Sequence, residues 1–452
     1  MEVTIQVPEI SDDTACEKDH YTIGGSRLSQ FITYIRKVYR LRDHLADITD
    51  GRQDPTYSTL LVALAVFFCG LLRIRSFNAL EPRLKETGFL KLVGAPSHLS
   101  HLGSADTVSR TLQSMNLNSV RNVVVGVLRK AERNKVFREG WIGSYRYVAI
   151  DGWEPIQSWN RHCDHCLVRK VKKKDASGKV IEVEQYYHRY VVAMLIDDRM
   201  DLALDFEPLL PSDLRPGPLR NKADEGELTA AKRLVRRLRQ TYPWVDVVVA
   251  DALYANGPFL SLLKELDLGG VIIVRKSSDE PLKEALDLWA DKPAEQTFED
   301  KAKGERIELW DCKDIETLDT YDGKIRVVRA QVSKADNDTV STWCACVIGK
   351  PGNLSPRQVL RVARGRWHIE NTGFHQWTKR WQFAHVFTHD NTGMQALYWL
   401  FFSAYDLLTL FLYRQLKSYG RDRAEVTQTI SRLIDELRDD LARLFLSPWD
   451  TS

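Results

Sequence analysis

Apolar positions recur along this chain at two different spacings, and the change of spacing divides it. From about residue 28 to 140 the apolar stretches are long or helical in period. TLLVALAVFFCGLLRI (residues 59–74) is apolar throughout, and SADTVSRTLQSMN (residues 104–116) opens on an N-cap candidate and keeps Val108, Leu112 and Met115 near one face. Both predict helices. From Tyr147 the pattern becomes strand-like. YVAID (147–151), YYHRYVVAMLID (186–197) and DLALDFEPL (201–209) predict a three-strand antiparallel meander. ELTAAKRLVRRLRQTY (227–242) aligns Leu228, Ala231, Leu234, Val235 and Leu238 as the apolar face of a helix. VDVVVAD (245–251) and GGVIIVRK (269–276) read as strands buried on both faces, with a helix at 256–266 between them. The predicted order is β-β-β-α-β-α-β.

Residues 277–345 are more polar and carry β-like pieces, RIELWDC, KIRVVRAQV and TVSTWCACVIG, the last placed to return to the main sheet. Helices follow from Ser355 through Trp381 and on to about Lys417, and a charged helix over 422–445 ends the chain. A length of 452 residues favours two or three domains. The predicted division is an acidic flexible arm (1–25), a helical N-terminal domain and candidate DNA-binding region (26–145), and a catalytic core in two parts (146–276 and 346–415). A β-rich insertion (277–345) separates those parts, and a C-terminal helix (416–452) closes the chain. The stretch MQALYWLFFSAYDLLTLFLY (394–413) is apolar enough to pose a membrane question. Gln395, Ser403, Asp406 and Thr409 interrupt it, so it predicts a buried core helix and no membrane partner.

Charge changes the picture through its distribution. Lys and Arg number 64 against 61 Asp and Glu, too close a balance to name a partner. Basic clusters at 121–138, 169–174, 232–239 and 357–379 are ordinarily solvated faces, but several in one chain point to a polyanion such as DNA. In RWHIENTGFHQWTKRW (366–381) the one carboxylate is Glu370, and no other Asp or Glu occurs between Asp338 and Asp390. Lys350, Arg357, Arg361, Arg364, Arg366, Lys379 and Arg380 fall in that window. Helical spacing sets Arg366, Phe374, Trp377 and Trp381 on the face of Glu370. An exposed Arg366–Glu370 pair is the bland reading. A surface lying along phosphates, keeping the one acid that a metal needs, is the sharper one.

Asp151 and Asp251 each end an apolar strand, where an acid serves as a helix cap or turn residue, or where strand ends converge on a site. The predicted order puts those strands side by side. Two carboxylates held close repel unless a cation lies between them, and oxygen donors favour Mg²⁺ or Mn²⁺. Neither a GxxxxGK[ST] phosphate loop nor a GxSxG nucleophile elbow occurs. Seven cysteines, an odd number, fit a reducing cytoplasm. RHCDHC (161–166) holds a Cys-x2-Cys pair beside His162 and His165, with His188 further on. Cys163, Cys166 and His188 are candidate ligands of a structural Zn²⁺, and a polar loop with free thiols is the alternative. RKVKKK (169–174) reads as a solvated loop able to track DNA.

The order Asp, Asp, Glu on this core, with a strand-rich insertion before the Glu helix, resembles the DDE transposases of bacterial insertion sequences. The similar branch has a Tyr-x2-Arg-x3-Glu-x6-Lys signature. The resemblance covers about residues 146–415, and AIDG (149–152), VVADALYAN (248–256) and RWHIEN (366–371) carry it most specifically. Arg366 and Glu370 match the signature, whereas Ala363 and Trp377 stand at its Tyr and Lys positions and Lys379 comes two residues late. The resemblance implies an α/β, ribonuclease-H-like mixed sheet flanked by helices. It further implies that Asp151, Asp251 and Glu370 are catalytic and hold two Mg²⁺ (or Mn²⁺) ions for strand cleavage and transfer. Arg366, Lys379 and Arg380 would contact DNA phosphates. The implied partners are double-stranded DNA and a second copy of the chain, at the nucleoid in bacterial cytoplasm. A nuclease that only hydrolyses, and an inactive DNA-binding relative, are the alternatives.

Overall fold

Helices come first in the computed structural model, which describes residues 26–174, 178–220, 223–275, 280–316, 318, 320–334, 337–416 and 426–443. The expected acidic arm lies outside the described residues. The helices are α1 (Arg27–Lys37), α2 (Leu41–Ala46), α3 (Thr59–Leu71), α4 (Phe77–Arg83), α5 (Thr87–Leu92), α6 (Ala105–Ser114) and α7 (Leu117–Arg133). Serine side chains start several of them. Ser58 accepts from the Leu61 N–H ahead of α3, and Ser104 forms a capping box with Thr107 ahead of α6, which satisfies N–H groups that a helix start leaves unpaired.

The sheet begins with β1 (Tyr147–Ser158), β2 (Leu167–Lys174), β3 (Val180–Ile196) and β4 (Leu202–Pro208). Then come α8 (Glu227–Thr241), β5 (Val247–Ala250), α9 (Gly257–Glu265), β6 (Gly269–Val274) and α10 (Glu280–Leu288). Through its central strands the sheet runs β4-β3-β1-β5-β6. β3 is antiparallel to β1, and β5 and β6 follow β1 in parallel. This is the ribonuclease-H-like arrangement. The apolar runs of β5 and β6 are fully buried, as parallel strands covered on both faces require.

Two local expectations change, and a third, the return of the insertion's last piece to the main sheet, holds. RKVKKK is not a loop: it lies in β2, which pairs with the outer half of β3, where Lys170 faces Glu184 and Lys172 faces Glu182. Alternating charge across a strand pair supports pairing that a run of like charge alone conceals. β1 does not end at Asp151 but continues to Ser158, with a bulge between Trp153 and Ile156. The strands of the insertion, β7 (Gln296–Asp300), β8 (Glu305–Ile315), β9 (Ile325–Lys334) and β10 (Asn337–Ile348), extend the main sheet, because β10 pairs antiparallel with β6.

The chain then returns through α11 (Pro356–Gly365), a π-helical stretch (Ile369–Phe374), α12 (His375–Arg380), α13 (Asn391–Leu410) and α14 (Val426–Leu441). With its π-helical extension, α13 makes Asn391–Gln415 the one helix among the described residues long and apolar enough to cross a membrane, and it is buried inside the protein. It packs against α3, α6 and α7 as well as β4. The apolar length of α3 is thereby explained: one continuous core runs through the N-terminal helices, α13 and the sheet.

Candidate active site

Three elements bring acids towards one place. Asp151 lies within β1, opposite Val192 of β3. Asp251 follows the last residue of β5, and its side chain caps a short turn by accepting from the Leu253 N–H at 2.9 Å. The β1–β5 register pairs Ala149 with Val249, so two residues further on it sets Asp151 beside Asp251. Glu370 sits in the π-helical stretch after α11, where Ser355 and Gln358 form a capping box and Pro356 occupies the first turn.

Arg366 joins two of these acids. Its Nη1 donates to Asp151 Oδ2 at 2.9 Å and its Nη2 pairs with Glu370 Oε1 at 2.5 Å, and the residue is 2% exposed. Arg366 was expected beside a DNA phosphate, and without DNA or metal it faces acids. In this structure its guanidinium is committed to two carboxylates, because an acid 215 residues away along the chain folds against it. Asp151 is perturbed accordingly. Burial pushes its carboxyl up to about 7, with Asp251 and Glu370 adding to the rise, while Arg366 and the Gly152 N–H pull it down.

The donor set fits hard divalent cations. Three carboxylates from separate elements approach closely enough for two of them to disfavour charge on the third. Arg366 stands between Asp151 and Glu370, with its Nε buried and without a hydrogen-bond partner. The oxygens of the triad are not drawn within 4.8 Å of one another, since the only cluster that tight among the described residues lies elsewhere.

A second network borders Asp151 and drew no notice in the sequence. Glu227 of α8 accepts from Arg189 at 2.6 Å and from the Tyr254 hydroxyl at 2.8 Å. A Cβ on Gly152 would lie 2.1 Å from Glu227 Oε2, so a larger residue there would push the Glu227 carboxylate off its partners. The glycine in AIDG was the available signal.

The aromatic face expected beside Glu370 does not form. Trp377 and Trp381 are fully buried, and Trp377 packs on Phe402 with ring centres 4.7 Å apart. The π-helical stretch adds a residue to the turn and breaks the 100° count. Lys379 and Arg380 end α12 and are exposed. Arg380, together with Arg438, adds to the burial that pushes Arg73 down to about 10, so cations gather on that face.

Most other bases of the acid-poor window meet acids from distant segments. Arg361 pairs with Asp198, Arg364 with Glu305, and Lys350 with Asp246 and Asp267. The cluster at 232–239 is likewise committed: Arg233 binds Glu207 and Glu225, and Arg237 binds Asp205 and Glu207. Much of the charge in these two clusters is engaged in intramolecular ion pairs.

Cys163, Cys166 and His188 converge, and a residue the sequence did not single out, His389, joins them. His162 instead stacks on Tyr186.

Comparison with known proteins gives a family. Residues 184–407 match the family model described as a transposase DDE domain. The match contains Asp251, Arg366 and Glu370 and begins downstream of Asp151. No curated protein matches the chain. Among solved structures, a piggyBac transposase synaptic complex with hairpin DNA aligns at 12% identity and a TM-score of 0.37, over 92% of this chain and 81% of that one. Residues 184–407 thus carry a transposase DDE domain.

Proposed function

We propose that this transposase cleaves DNA at the ends of a bacterial insertion sequence and joins the freed 3′ ends to a target, with Asp151, Asp251 and Glu370 as its catalytic carboxylates. The supporting observation is the convergence of two of these acids on Arg366 beside the third, within a chain that carries the transposase DDE domain. The triad would hold two divalent ions, Mg²⁺ or Mn²⁺. When bound, such ions make water or a 3′-hydroxyl a better nucleophile at neutral pH and offset charge on the leaving oxygen.

The chain's own residues do the rest. Asp151 must shed its proton to serve as a ligand, and a bound divalent cation would favour that loss by offsetting the repulsion of its neighbours. Arg366 holds Asp151 and Glu370 in register and neutralises part of their charge until DNA and metal arrive. Gly152 keeps the space beside Asp151 open for the Glu227–Arg189–Tyr254 network. Lys379 and Arg380, exposed at the end of α12, are the proposed phosphate contacts. Two copies assembled on double-stranded DNA are the proposed working unit, and a bacterial cytoplasm at the nucleoid the setting.

Asp251→Asn tests the assignment. Cleavage of end-labelled DNA should fall by roughly a thousandfold or more, the scale of several kcal/mol of lost transition-state stabilisation, with DNA binding retained. Activity near that of the wild type would remove Asp251 from the triad. A joining assay on labelled 3′ ends separates strand transfer from hydrolysis alone.

A further inference from the structure

We propose that Cys163, Cys166, His188 and His389 form a tetrahedral site for a structural zinc ion, which ties the β1–β2 turn and β3 to the start of α13. One donor atom from each residue lies within 4.8 Å of every other. The Cys163 and Cys166 sulfurs are 3.8 Å apart. His188 Nε2 is 3.5 Å from Cys163 Sγ and 3.3 Å from Cys166 Sγ, and His389 Nε2 is 3.3 Å from Cys166 Sγ. A zinc ion about 2.3 Å from each sulfur and about 2.0 Å from each nitrogen, at tetrahedral angles, demands edges of about 3.8 Å between sulfurs and about 3.5 Å from sulfur to nitrogen. These four separations match those edges to within a few tenths of an ångström, and the remaining two, from His389 to Cys163 and to His188, lie within 4.8 Å.

The surroundings agree. Both cysteines are free thiols. The Cys166 N–H donates to the Cys163 carbonyl at 3.0 Å, closing a tight turn, and the Cys163 N–H points back at Cys166 Sγ at 3.3 Å. A backbone donor aimed at sulfur favours the thiolate that a metal needs. Cys166 and His188 are buried, and their side-chain polar contacts are with this cluster. Two thiolates and two imidazoles select zinc over magnesium or manganese, so this centre is chemically distinct from the carboxylate site.

The bond would close a loop of 223 residues between Cys166 and His389. Ion binding would release the two thiol protons and count towards folding. The closure joins β1, which carries Asp151, to the connector that follows the Glu370 segment and α12. It therefore fixes the two arms of the acidic site without touching it. The proposal stands on these four residues alone and does not depend on the proposed DNA chemistry.

Metal analysis of the purified full chain should find about one zinc per molecule. Cys166→Ser and His389→Ala should each lower that content at least tenfold, and Asp251→Asn should leave it unchanged. Cobalt exchanged for zinc should give thiolate-to-cobalt charge transfer and the visible bands of a tetrahedral ion. His389→Cys guards against simple unfolding of the other variants: it should retain metal and strengthen the charge-transfer band through a third thiolate. Folded wild-type protein that takes up no zinc or cobalt overturns the proposal. So does zinc content unchanged in the Cys166→Ser, His389→Ala double variant.

Discussion

Asp406 sits inside the most apolar helix of the protein and is wholly buried. Its Oδ1 accepts from the Ala203 N–H at 2.8 Å, whereas Oδ2 has no hydrogen-bond partner. Burial pushes this carboxyl well above the ordinary carboxylate range, so the folded state holds it protonated. A folded pKa above the unfolded one means that the folded chain binds the extra proton. The associated stability is full below the unfolded value of 3.8 and is lost as pH rises towards the folded pKa. Asp406→Asn cannot ionise. Its melting temperature should gain on that of the wild type as pH rises from about 4 to 8, by up to about 1.4 kcal/mol of relative stability per pH unit. Thermal melts across that range check this, and a difference that stays flat with pH would mean that Asp406 is ionised in the folded protein.

Asp151 shows what one residue discloses in advance. An acid after an apolar run and before glycine was visible as a candidate, and so was Asp251 at the end of its own apolar run. That Asp151 stands mid-strand and leans on Arg366 was not, because its partner comes 215 residues later.

Among elements, the α3–α13 contact is the tightest test of packing. Gly70 of α3 faces Phe401 of α13, and a Cβ there would lie 2.6 Å from the ring. In an exposed helix, Gly to Ala adds up to about 1 kcal/mol of stability. Here overpacking opposes it at about 1–3 kcal/mol, so Gly70→Ala should be net destabilising in chemical denaturation, with an unchanged denaturant slope. A gain in stability would mean that the Phe401 ring swings aside without loss.

Helix type decided the fate of the aromatic stripe after Glu370. Counting at 100° per residue assumes an α-helix, and the π-helical stretch Ile369–Phe374 violates that assumption. Trp377 and Trp381 consequently turn into the core. β2 was missed for a related reason: strand propensity is weak in a run of lysines, and the compensating Glu182 and Glu184 sit on the partner strand.

At the scale of the molecule, charge is what folding redistributes most. Arg237 reaches Asp205 and Glu207, and Arg121 reaches the same Asp205, which is wholly buried. Arg237→Ala leaves buried carboxylates undercompensated and should cost about 3 kcal/mol in stability, with the salt dependence of DNA binding unchanged. Lys379→Ala combined with Arg380→Ala should do the reverse. Each lost phosphate contact lowers the slope of log affinity against log salt by about 0.9, so the pair should flatten it by roughly two while the melting temperature holds. DNA titrations at several salt concentrations separate these outcomes, and an unchanged slope in the double variant would place the DNA track on another face.

Spacing along the chain was enough to find the central strands, their order, the amphipathic helices and the candidate acids Asp151 and Asp251, because periodicity and the ends of apolar runs are set by neighbours a few residues apart. The partners of those residues were out of its reach. Arg366 with Asp151, the acids that absorb the basic clusters, and His389 beside Cys166 are pairs separated by as many as 223 residues. Each depends on how the sheet and helices close on one another, and burial then sets which charges are shared and which remain free to meet a ligand.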